Sequence, residues 1–125
     1  MHKLLLMAGA IFSGLSVALG AFGAHALKAL LEKNQRVDVF ETAVKYQFFH
    51  ALALILLGIL AQQMPHKFIN NAGYAFIIGI LIFSGSLYTL AITNIRWLGA
   101  ITPIGGVAFI VGWVLLLLAV WGSKG

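Results

Sequence analysis

The sequence contains no cysteine, only two prolines and few charged residues, which make up 9% of its 125 positions. The absence of cysteine excludes disulfide bonds, thiolate metal sites and cysteine nucleophiles. A soluble domain carries roughly 25% charged residues, so a chain with so little charge cannot cover a water-facing surface. Disordered chains are poor in apolar residues, whereas 62% of this chain is hydrophobic. These absences leave an integral membrane protein with a single domain, residues 1–125.

The net charge of +5 comes from lysines and arginines that lie in short gaps between apolar runs. On a soluble chain such a basic balance would raise the question of nucleic acid. Between apolar segments, basic residues instead set membrane orientation and contact lipid headgroups. We therefore expect membrane lipids as partners and no nucleic acid.

Four uncharged apolar runs divide the chain, and each provides the roughly 20 residues that a membrane-spanning helix needs. We predict spans at about residues 4–26, 43–64, 68–93 and 98–121, with a charged loop over 27–42. The first run begins like a signal peptide but is too long for a typical signal core, so we expect it to be retained. The predicted fold class is all-α, an integral membrane four-helix bundle in up-down-up-down order.

Local signals place helix boundaries near the charged loop. Strong helix formers over residues 26–33 predict that the first helix continues beyond the membrane, and residues 34–35 interrupt it. Asp38 lies three residues before Glu41, which has the form of a capping box. This pattern predicts that the second helix begins near Val39.

Lysine and arginine counts predict the orientation of the bundle. The two termini and the second loop share one side of the membrane, and the first and third loops share the other. The first of these sides carries three basic residues, which are Lys3, Lys67 and Lys124. The other side carries five, which are Lys28, Lys33, Arg36, Lys45 and Arg96. Because the more basic side stays in the cytoplasm, we predict both termini outside the cytoplasm.

Small residues recur at four-residue spacing on the predicted helices, as at Ser16/Gly20 and Ala108/Gly112. Lipid provides no hydrophobic drive for helix association, so small residues stabilise a bundle through close backbone contact. The pattern predicts tight packing, and the same motifs leave a homo-oligomer open.

Polar and aromatic side chains within the runs suggest structural roles. Ser84 and Ser86 lie in an apolar helix, where their hydroxyls are expected to bond carbonyls one turn back. The tryptophans lie mostly near predicted helix ends, as interfacial anchors do, at Trp97, Trp113 and Trp121. No Asp, Glu, Lys or Arg lies near the centre of a run, which speaks against a proton-driven pump or ion carrier. The sequence also lacks a catalytic set, so we expect no enzymatic activity.

One polar cluster is a candidate site. His25 lies at the exit of the first span and His50 about a turn inside the second, and these helices are expected to be antiparallel neighbours. We expect the two imidazoles on facing surfaces of these helices. The whole predicted cluster comprises His25, Glu41, Thr42, Tyr46, Gln47, His50 and Arg96. It suits a lipid headgroup, a metal ion or a haem held by two histidines. The structural alternative is that both histidines bond neighbouring helices and pin the bundle, since metal sites normally need more ligands.

Several segments resemble one known family. They are GAFGAHAL at 20–27, FETAVKYQFFHALAL at 40–54, FSGSLY at 83–88 and WLGAITPIGG at 97–106. Together these segments are similar to the domain-of-unknown-function 423 family, which includes the bacterial inner-membrane protein YgdD and is related to the small transmembrane protein 256 of animals. The resemblance implies a small bacterial inner-membrane protein with four helices, and it implies no mechanism. Its motif residues include His25, Thr42, Tyr46, Gln47 and His50.

Three functional hypotheses remain open at this point. The first is a non-enzymatic structural, assembly or lipid-interacting partner in the cytoplasmic membrane, without a cofactor. The second is an oligomeric conduit for small solutes or ions. The third is a haem-binding membrane protein that uses His25 and His50.

Overall fold

The computed structural model describes residues 2–123, which form an all-helical bundle. In chain order the helices are α1 (His2–Ala26), α2 (Lys28–Asn34), α3 (Val37–Gln63), α4 (Lys67–Thr93) and α5 (Thr102–Trp121). A short 3-10 helix, Arg96–Ala100, leads into α5. All of these helices except α2 belong to segments that are long and apolar enough to cross a membrane. The predicted four-helix membrane bundle is confirmed.

The charged loop 27–42 between the first two spans is largely helical: the predicted extension over 26–33 is present, and the non-helical part is shorter than predicted. Leu27 interrupts the backbone between α1 and α2, with φ of −97° and ψ of 5°. α2 ends where predicted, because Gln35 adopts a left-handed conformation with φ of 57°. α3 begins at Val37, slightly earlier than predicted, and no side chain caps it. The predicted capping box is therefore wrong: Asp38 lies inside the first turn of α3, where its charge complements the helix dipole.

The other connections are short turns. His66 precedes α4, and its Nδ1 accepts a 3.0 Å hydrogen bond from the Phe68 amide. Asn94 ends α4 in a left-handed conformation with φ of 59°. Pro103 occupies the first turn of α5, where a helix has no use for the missing amide hydrogen. These turns place the long helices in the predicted up-and-down order.

Two helix pairs make up the bundle: α1 packs along α3, and α4 packs along α5, with α3 also contacting α4. Glycines allow the close approach. A Cβ added at Gly9 would lie 2.6 Å from Cγ1 of Ile55, and one added at Gly112 would lie 2.5 Å from Cε1 of Phe76. The largest apolar cluster between the pairs includes Leu5, Leu54, Leu57, Ile69 and Phe76, all almost fully buried.

Buried hydroxyls join helices that are distant in sequence. Oγ of Ser84 donates a 2.8 Å hydrogen bond to the carbonyl of Ala43, so this α4 side chain bonds α3 and not its own helix. The expectation that Ser84 bonds one turn back is wrong, because close packing brings the α3 backbone within reach. Ser86 does bond the carbonyl of Phe83 at 3.0 Å, and it also shares a 2.6 Å hydrogen bond with Thr102 on α5.

Two helices contain π-helical segments, Ala18–Gly23 in α1 and Ile80–Ser84 in α4. Such segments have wider turns than an α-helix and occur frequently at functional sites. The segment in α1 is followed by only one α-helical turn, Ala24–Ala26, before the charged end of the bundle. It therefore sets the direction in which the last residues of α1 face.

The outside of the bundle is covered by large apolar side chains. Ile110 on α5 is 63% exposed and Leu56 on α3 is 65% exposed. A soluble monomer rarely shows apolar patches of the size that such residues form along whole helices. These surfaces are suited to contact with lipid.

Candidate functional site

His50 lies between α3, α4 and α5 with only 5% of its surface exposed. Its Nδ1 lies 2.8 Å from the carbonyl oxygen of Tyr46, one turn back on α3. Its Nε2 accepts a 3.0 Å hydrogen bond from Nε1 of Trp113 on α5. The ring stacks on Phe109, with 3.7 Å between ring centroids, and meets the edge of Phe76 at 5.1 Å. Polar and aromatic contacts together hold this side chain in place.

The partners of His50 fix its tautomer. An indole N–H can only donate a hydrogen bond, so Nε2 must be the acceptor. A backbone carbonyl can only accept, so Nδ1 must carry the hydrogen. Both ring nitrogens are therefore occupied by the bundle itself, and this histidine joins α3 to α5.

His25 and His50 are not brought together. His25 is exposed at the end of α1, beside α2 and the start of α3, whereas His50 faces α4 and α5. The expectation that the imidazoles face each other between the first two long helices is wrong. The cause is the rotation of α3 about its axis. The face of α3 that packs on α1 is the one with Ala51, since a Cβ at Gly9 of α1 would lie 2.8 Å from the Ala51 carbonyl. Successive residues of a helix point about 100° apart, so His50 points away from α1. The two imidazoles are therefore not placed to hold one haem between them.

Gln47 lies deep in the bundle, with 3% of its surface exposed. Its Nε2 donates a 2.9 Å hydrogen bond to the carbonyl of Phe12 on α1, and its Oε1 accepts a 2.6 Å hydrogen bond from Tyr88 on α4. This amide therefore joins three helices. Thr42, another predicted site residue, donates from Oγ1 to the carbonyl of Asp38 at 2.9 Å, within α3.

The remaining predicted residues are dispersed. Tyr46 is 41% exposed, and its ring packs on Phe83 with 4.7 Å between centroids. Arg96 is exposed at the start of the 3-10 helix. Among the described residues, two pairs of the predicted set share a cleft. His25 and Glu41 line one, and Tyr46 and His50 line another, of about 460 Å³, between α3, α4 and α5. The first of these clefts carries charged side chains.

That cleft, which we call the mouth, lies between the end of α1, α2 and the start of α3. It is open and has a volume of about 340 Å³. Leu31 and Phe40, which are almost fully buried, form part of its apolar floor. Its rim carries polar side chains of both charge signs, namely His25, Lys28, Glu32 and Glu41.

Two smaller clefts continue from the mouth along the seam between α1 and α3. The first, of about 220 Å³, shares Phe40 and Glu41 with the mouth and adds Val44 and Lys45. The second, of about 200 Å³, shares Val44 and Lys45 and is otherwise lined by Ser16, Val17, Phe48 and Phe49. We call the three clefts together the seam groove. Its lining changes from a charged mouth to an apolar inner end.

Small residues form the α1 wall of the seam groove. Gly20 and Ala21 belong to the π-helical segment, and Ala24 follows it. A Cβ at Gly20 would lie 3.2 Å from Cγ1 of Val44, which is a tight contact. The groove therefore exists because these positions carry little or no side chain.

The charges around the mouth do not neutralise one another. Within residues 2–123, Lys28, Glu32, Glu41 and Lys45 form no ion pair within 4.0 Å and no side-chain hydrogen bond. All four side chains are exposed. Both signs of charge are thus available to a ligand at this end of the bundle.

Comparison with known proteins places the chain in a family. Residues 19–106 match the family model described as "Protein of unknown function (DUF423)". The sequence is 45% identical to the UPF0382 membrane protein SH2409 of Staphylococcus haemolyticus, over 98% of this chain and 99% of that relative. It is 43% identical to the UPF0382 membrane protein YwdK of Bacillus subtilis, over 94% of this chain and 95% of that relative. This chain belongs to the DUF423 family. No solved structure matches it.

The DUF423 match confirms the resemblance found in the sequence and covers most of the seam groove. The matched range 19–106 includes Gly20, all the charged residues around the mouth and His50, whereas Val17 and Trp113 lie outside it. The relatives are named membrane proteins, and four segments of this chain are long and apolar enough to span a membrane. This DUF423 member is a small multi-pass membrane protein of an uncharacterised family.

Sequence reasoning missed the residues that complete the polar contacts of this DUF423 protein. Trp113 was expected near a helix end as an interfacial anchor, but it lies within α5 and bonds His50. Its spacing of four from Phe109 places both on one face of α5, a signal for a shared partner. Tyr88 gave no such signal, because its partner Gln47 is 41 residues away. In the part of the chain that the structure describes, no group of three His, Cys, Asp or Glu side chains could hold a metal ion.

Proposed function

We propose that this DUF423 protein is a non-enzymatic, lipid-interacting protein of the cytoplasmic membrane, and that the seam groove binds a phospholipid. One observation carries the proposal: the groove joins a charged mouth to an apolar inner end along the outer seam of α1 and α3. A phospholipid has the same order of polarity, with a charged headgroup at the water boundary and acyl chains in the hydrocarbon.

The depth of the groove fits this occupant. A charged side chain in the centre of a bilayer costs several kcal/mol, so the lysines and glutamates of the mouth belong at the water boundary. The inner end is lined by Val17, Phe48 and Phe49, within segments apolar enough to span the membrane. An acyl chain lying there meets aromatic and branched side chains, while the headgroup stays at the mouth.

The groove is accessible sideways from the bilayer. Val17 is 56% exposed and Phe49 is 58% exposed, so the inner end opens on the outer surface of the bundle. A lipid can therefore enter from the membrane without separation of α1 from α3. This arrangement suits exchange with the surrounding bilayer.

Support for a non-enzymatic role comes from the engagement of the buried polar groups. His50, the buried candidate for a general base, has both ring nitrogens in hydrogen bonds to Tyr46 and Trp113. The hydroxyl of Ser84 donates to a carbonyl of α3. Catalysis by general base and nucleophile needs the two groups within hydrogen-bond reach of each other.

The proposal includes an orientation with both termini outside the cytoplasm, because basic residues concentrate on the side of the first and third loops. Of the counted residues, Lys124 lies outside the described range 2–123. In this orientation the mouth, with Lys28 and Lys45, opens at the cytoplasmic leaflet. The groove would then draw its lipid from that leaflet.

Filling the groove tests the proposal. Ala21 lies on the α1 wall and is exposed, so Ala21→Leu places a larger side chain in the mouth with little effect on the core. Native mass spectrometry of protein released from mild detergent measures the fraction that retains phospholipid. We expect Ala21→Leu to lower this fraction by roughly fivefold, which corresponds to about 1 kcal/mol of lost binding.

Ala29→Leu is the matched control, because Ala29 is exposed at the same end of the molecule but does not line the mouth. We expect this variant to retain phospholipid as the unmodified protein does. Thermal unfolding of each variant, monitored by circular dichroism, checks that the helices remain intact. Equal lipid retention in the folded Ala21→Leu and Ala29→Leu variants would overturn the proposal.

A further inference from the structure

Acidic residues are rare in this chain, and most of them lie at the mouth. The sequence has three Asp and Glu residues in total. Two of them, Glu32 and Glu41, line the mouth, Glu32 from α2 and Glu41 from α3. The topology of a membrane protein depends on its lysines and arginines and hardly on its carboxylates. The two glutamates therefore need a reason other than orientation.

Cations lie on the same groove. Lys28 lines the mouth, and Lys45 lines the adjoining cleft together with Glu41. These opposite charges do not pair within 4.0 Å in the described residues 2–123. The mouth thus carries two carboxylates and one ammonium group, a second ammonium group lines the adjoining cleft beside Glu41, and these charges do not satisfy one another. A ligand that carries both charge signs can satisfy both sets at once.

This arrangement discriminates between phospholipid headgroups. A headgroup that carries only a phosphate charge gains from the lysines but is repelled by the glutamates. A headgroup that also carries a primary ammonium places a cation opposite the carboxylates, where charge-assisted hydrogen bonds form. We infer that the seam groove selects a phospholipid with a primary amine in its headgroup. This inference rests on the proposed lipid binding and adds the class of lipid.

The apolar lining of the inner end favours a whole lipid over a soluble headgroup compound. A free amino-phosphate compound would fit the charges of the mouth but would leave the apolar stretch at Val17, Phe48 and Phe49 empty. The middle cleft links the two, because it shares Val44 and Lys45 with that stretch and Phe40 and Glu41 with the mouth. An acyl chain attached to the headgroup fills it, so soluble glycerophosphoethanolamine at millimolar concentration is expected not to displace the bound lipid.

A competition experiment tests the inference on the full chain. The protein is reconstituted in nanodiscs that contain equal amounts of phosphatidylethanolamine and phosphatidylglycerol with identical acyl chains, and native mass spectrometry measures which lipid is retained. We expect a preference for phosphatidylethanolamine of about tenfold, the ratio that one charge-assisted hydrogen bond can supply. Glu32→Gln with Glu41→Gln should bring the ratio close to one while total retained lipid changes little.

Matched controls come from the same helices. Asp38→Asn removes an exposed carboxylate of α3 that does not line the mouth, and we expect it to keep the tenfold preference. Lys28→Gln should lower the retention of both lipids, whereas Lys33→Gln, on α2 but outside the mouth, should not. The single variants Glu32→Gln and Glu41→Gln replace the double variant if it does not fold, and each should lower the preference.

The outcomes separate the two claims. Retention of phospholipid that Ala21→Leu lowers as expected, but with no preference between the two headgroups, overturns the inference about the amine and leaves the proposed lipid binding. Retention that Ala21→Leu does not change overturns both. A preference for phosphatidylethanolamine that survives the loss of both glutamates overturns the assignment of the carboxylates as the amine partners.

Discussion

Replacing Trp113 with phenylalanine tests whether the hydrogen bond to His50 holds α5 against α3. The substitution keeps an aromatic ring but removes the indole N–H, which donates to Nε2 of His50 at 3.0 Å. His50 is only 5% exposed, so its nitrogen is left without a protein partner inside the bundle. Hydrogen bonds between membrane helices contribute about 0.6 kcal/mol on average and about 1.7 kcal/mol at most. We expect the free energy of unfolding to fall by about 1 kcal/mol.

Reversible unfolding in mixed micelles, followed by circular dichroism, measures this change. Trp121→Phe is the matched control, because the Trp121 ring is 80% exposed and its replacement should leave the free energy of unfolding unchanged. Lipid retention in the seam groove should stay the same in Trp113→Phe, since His50 and Trp113 do not line any of its three clefts. A loss of stability with unchanged lipid retention would therefore assign His50 and Trp113 a structural role and not a ligand-binding one.

A double-mutant cycle isolates the hydrogen bond from the loss of ring area. His50→Phe keeps a ring against Phe109 but removes both nitrogens, so Trp113 loses its acceptor. Removing both partners leaves no unpaired group between them, and the double variant should be about as stable as either single variant. Stability losses that add to within about 0.3 kcal/mol would refute the coupling. So would a Trp113→Phe variant as stable as the unmodified protein.

Two further predictions concern packing and orientation. Gly112→Ala should lower the free energy of unfolding by about 1–3 kcal/mol, because the added Cβ would lie 2.5 Å from Cε1 of the buried Phe76. Gly85→Ala, whose Cβ would meet nothing within 4 Å, should leave stability unchanged or raise it by up to about 1 kcal/mol, and equal effects at the two positions would contradict this account. A carboxyl-terminal fusion to a reporter that is active only in the cytoplasm should be inactive, and an active reporter would reverse the proposed orientation.

Local signals in the sequence predicted the helices well. Uncharged runs marked the four spans because the bilayer requires about 20 apolar residues per helix. The end of α2 was also predictable, since polar residues there allow the left-handed conformation that Gln35 adopts. These features depend on residues close together in the chain. The start of α3 was misplaced because the acidic pattern at Asp38 and Glu41 suits the interior of a first turn as well as a cap.

The candidate site was harder to predict because helix rotation depends on distant residues. His50 and Ala51 are adjacent, yet only Ala51 lies on the stripe of α3 that approaches Gly9 of α1. Gln47 lies four residues before Ala51 and bonds α1, which places it on the same stripe. The close contact at Gly9 determines which face of α3 packs on α1, and His50 therefore faces α5. The sequence predicted two residues of the mouth, His25 and Glu41. It did not predict the groove itself, because the groove forms where Gly20 has no side chain and helix packing decides which glycines lie at such a place.

The seam groove has a consequence for how the protein is made. All of its lining residues lie between Ser16 and Phe49, in α1, α2 and the first half of α3. Chains are synthesised from the amino terminus, so every residue that lines the groove is made before α4 and α5. The inner end, between α1 and α3, needs neither of these helices, whereas Leu31 and Phe40 at the mouth pack against Ala91 of α4 and reach their final positions only when α4 arrives. A lipid that binds there can stabilise the α1–α3 pair during insertion and becomes part of the surface on which the second pair, α4 and α5, assembles.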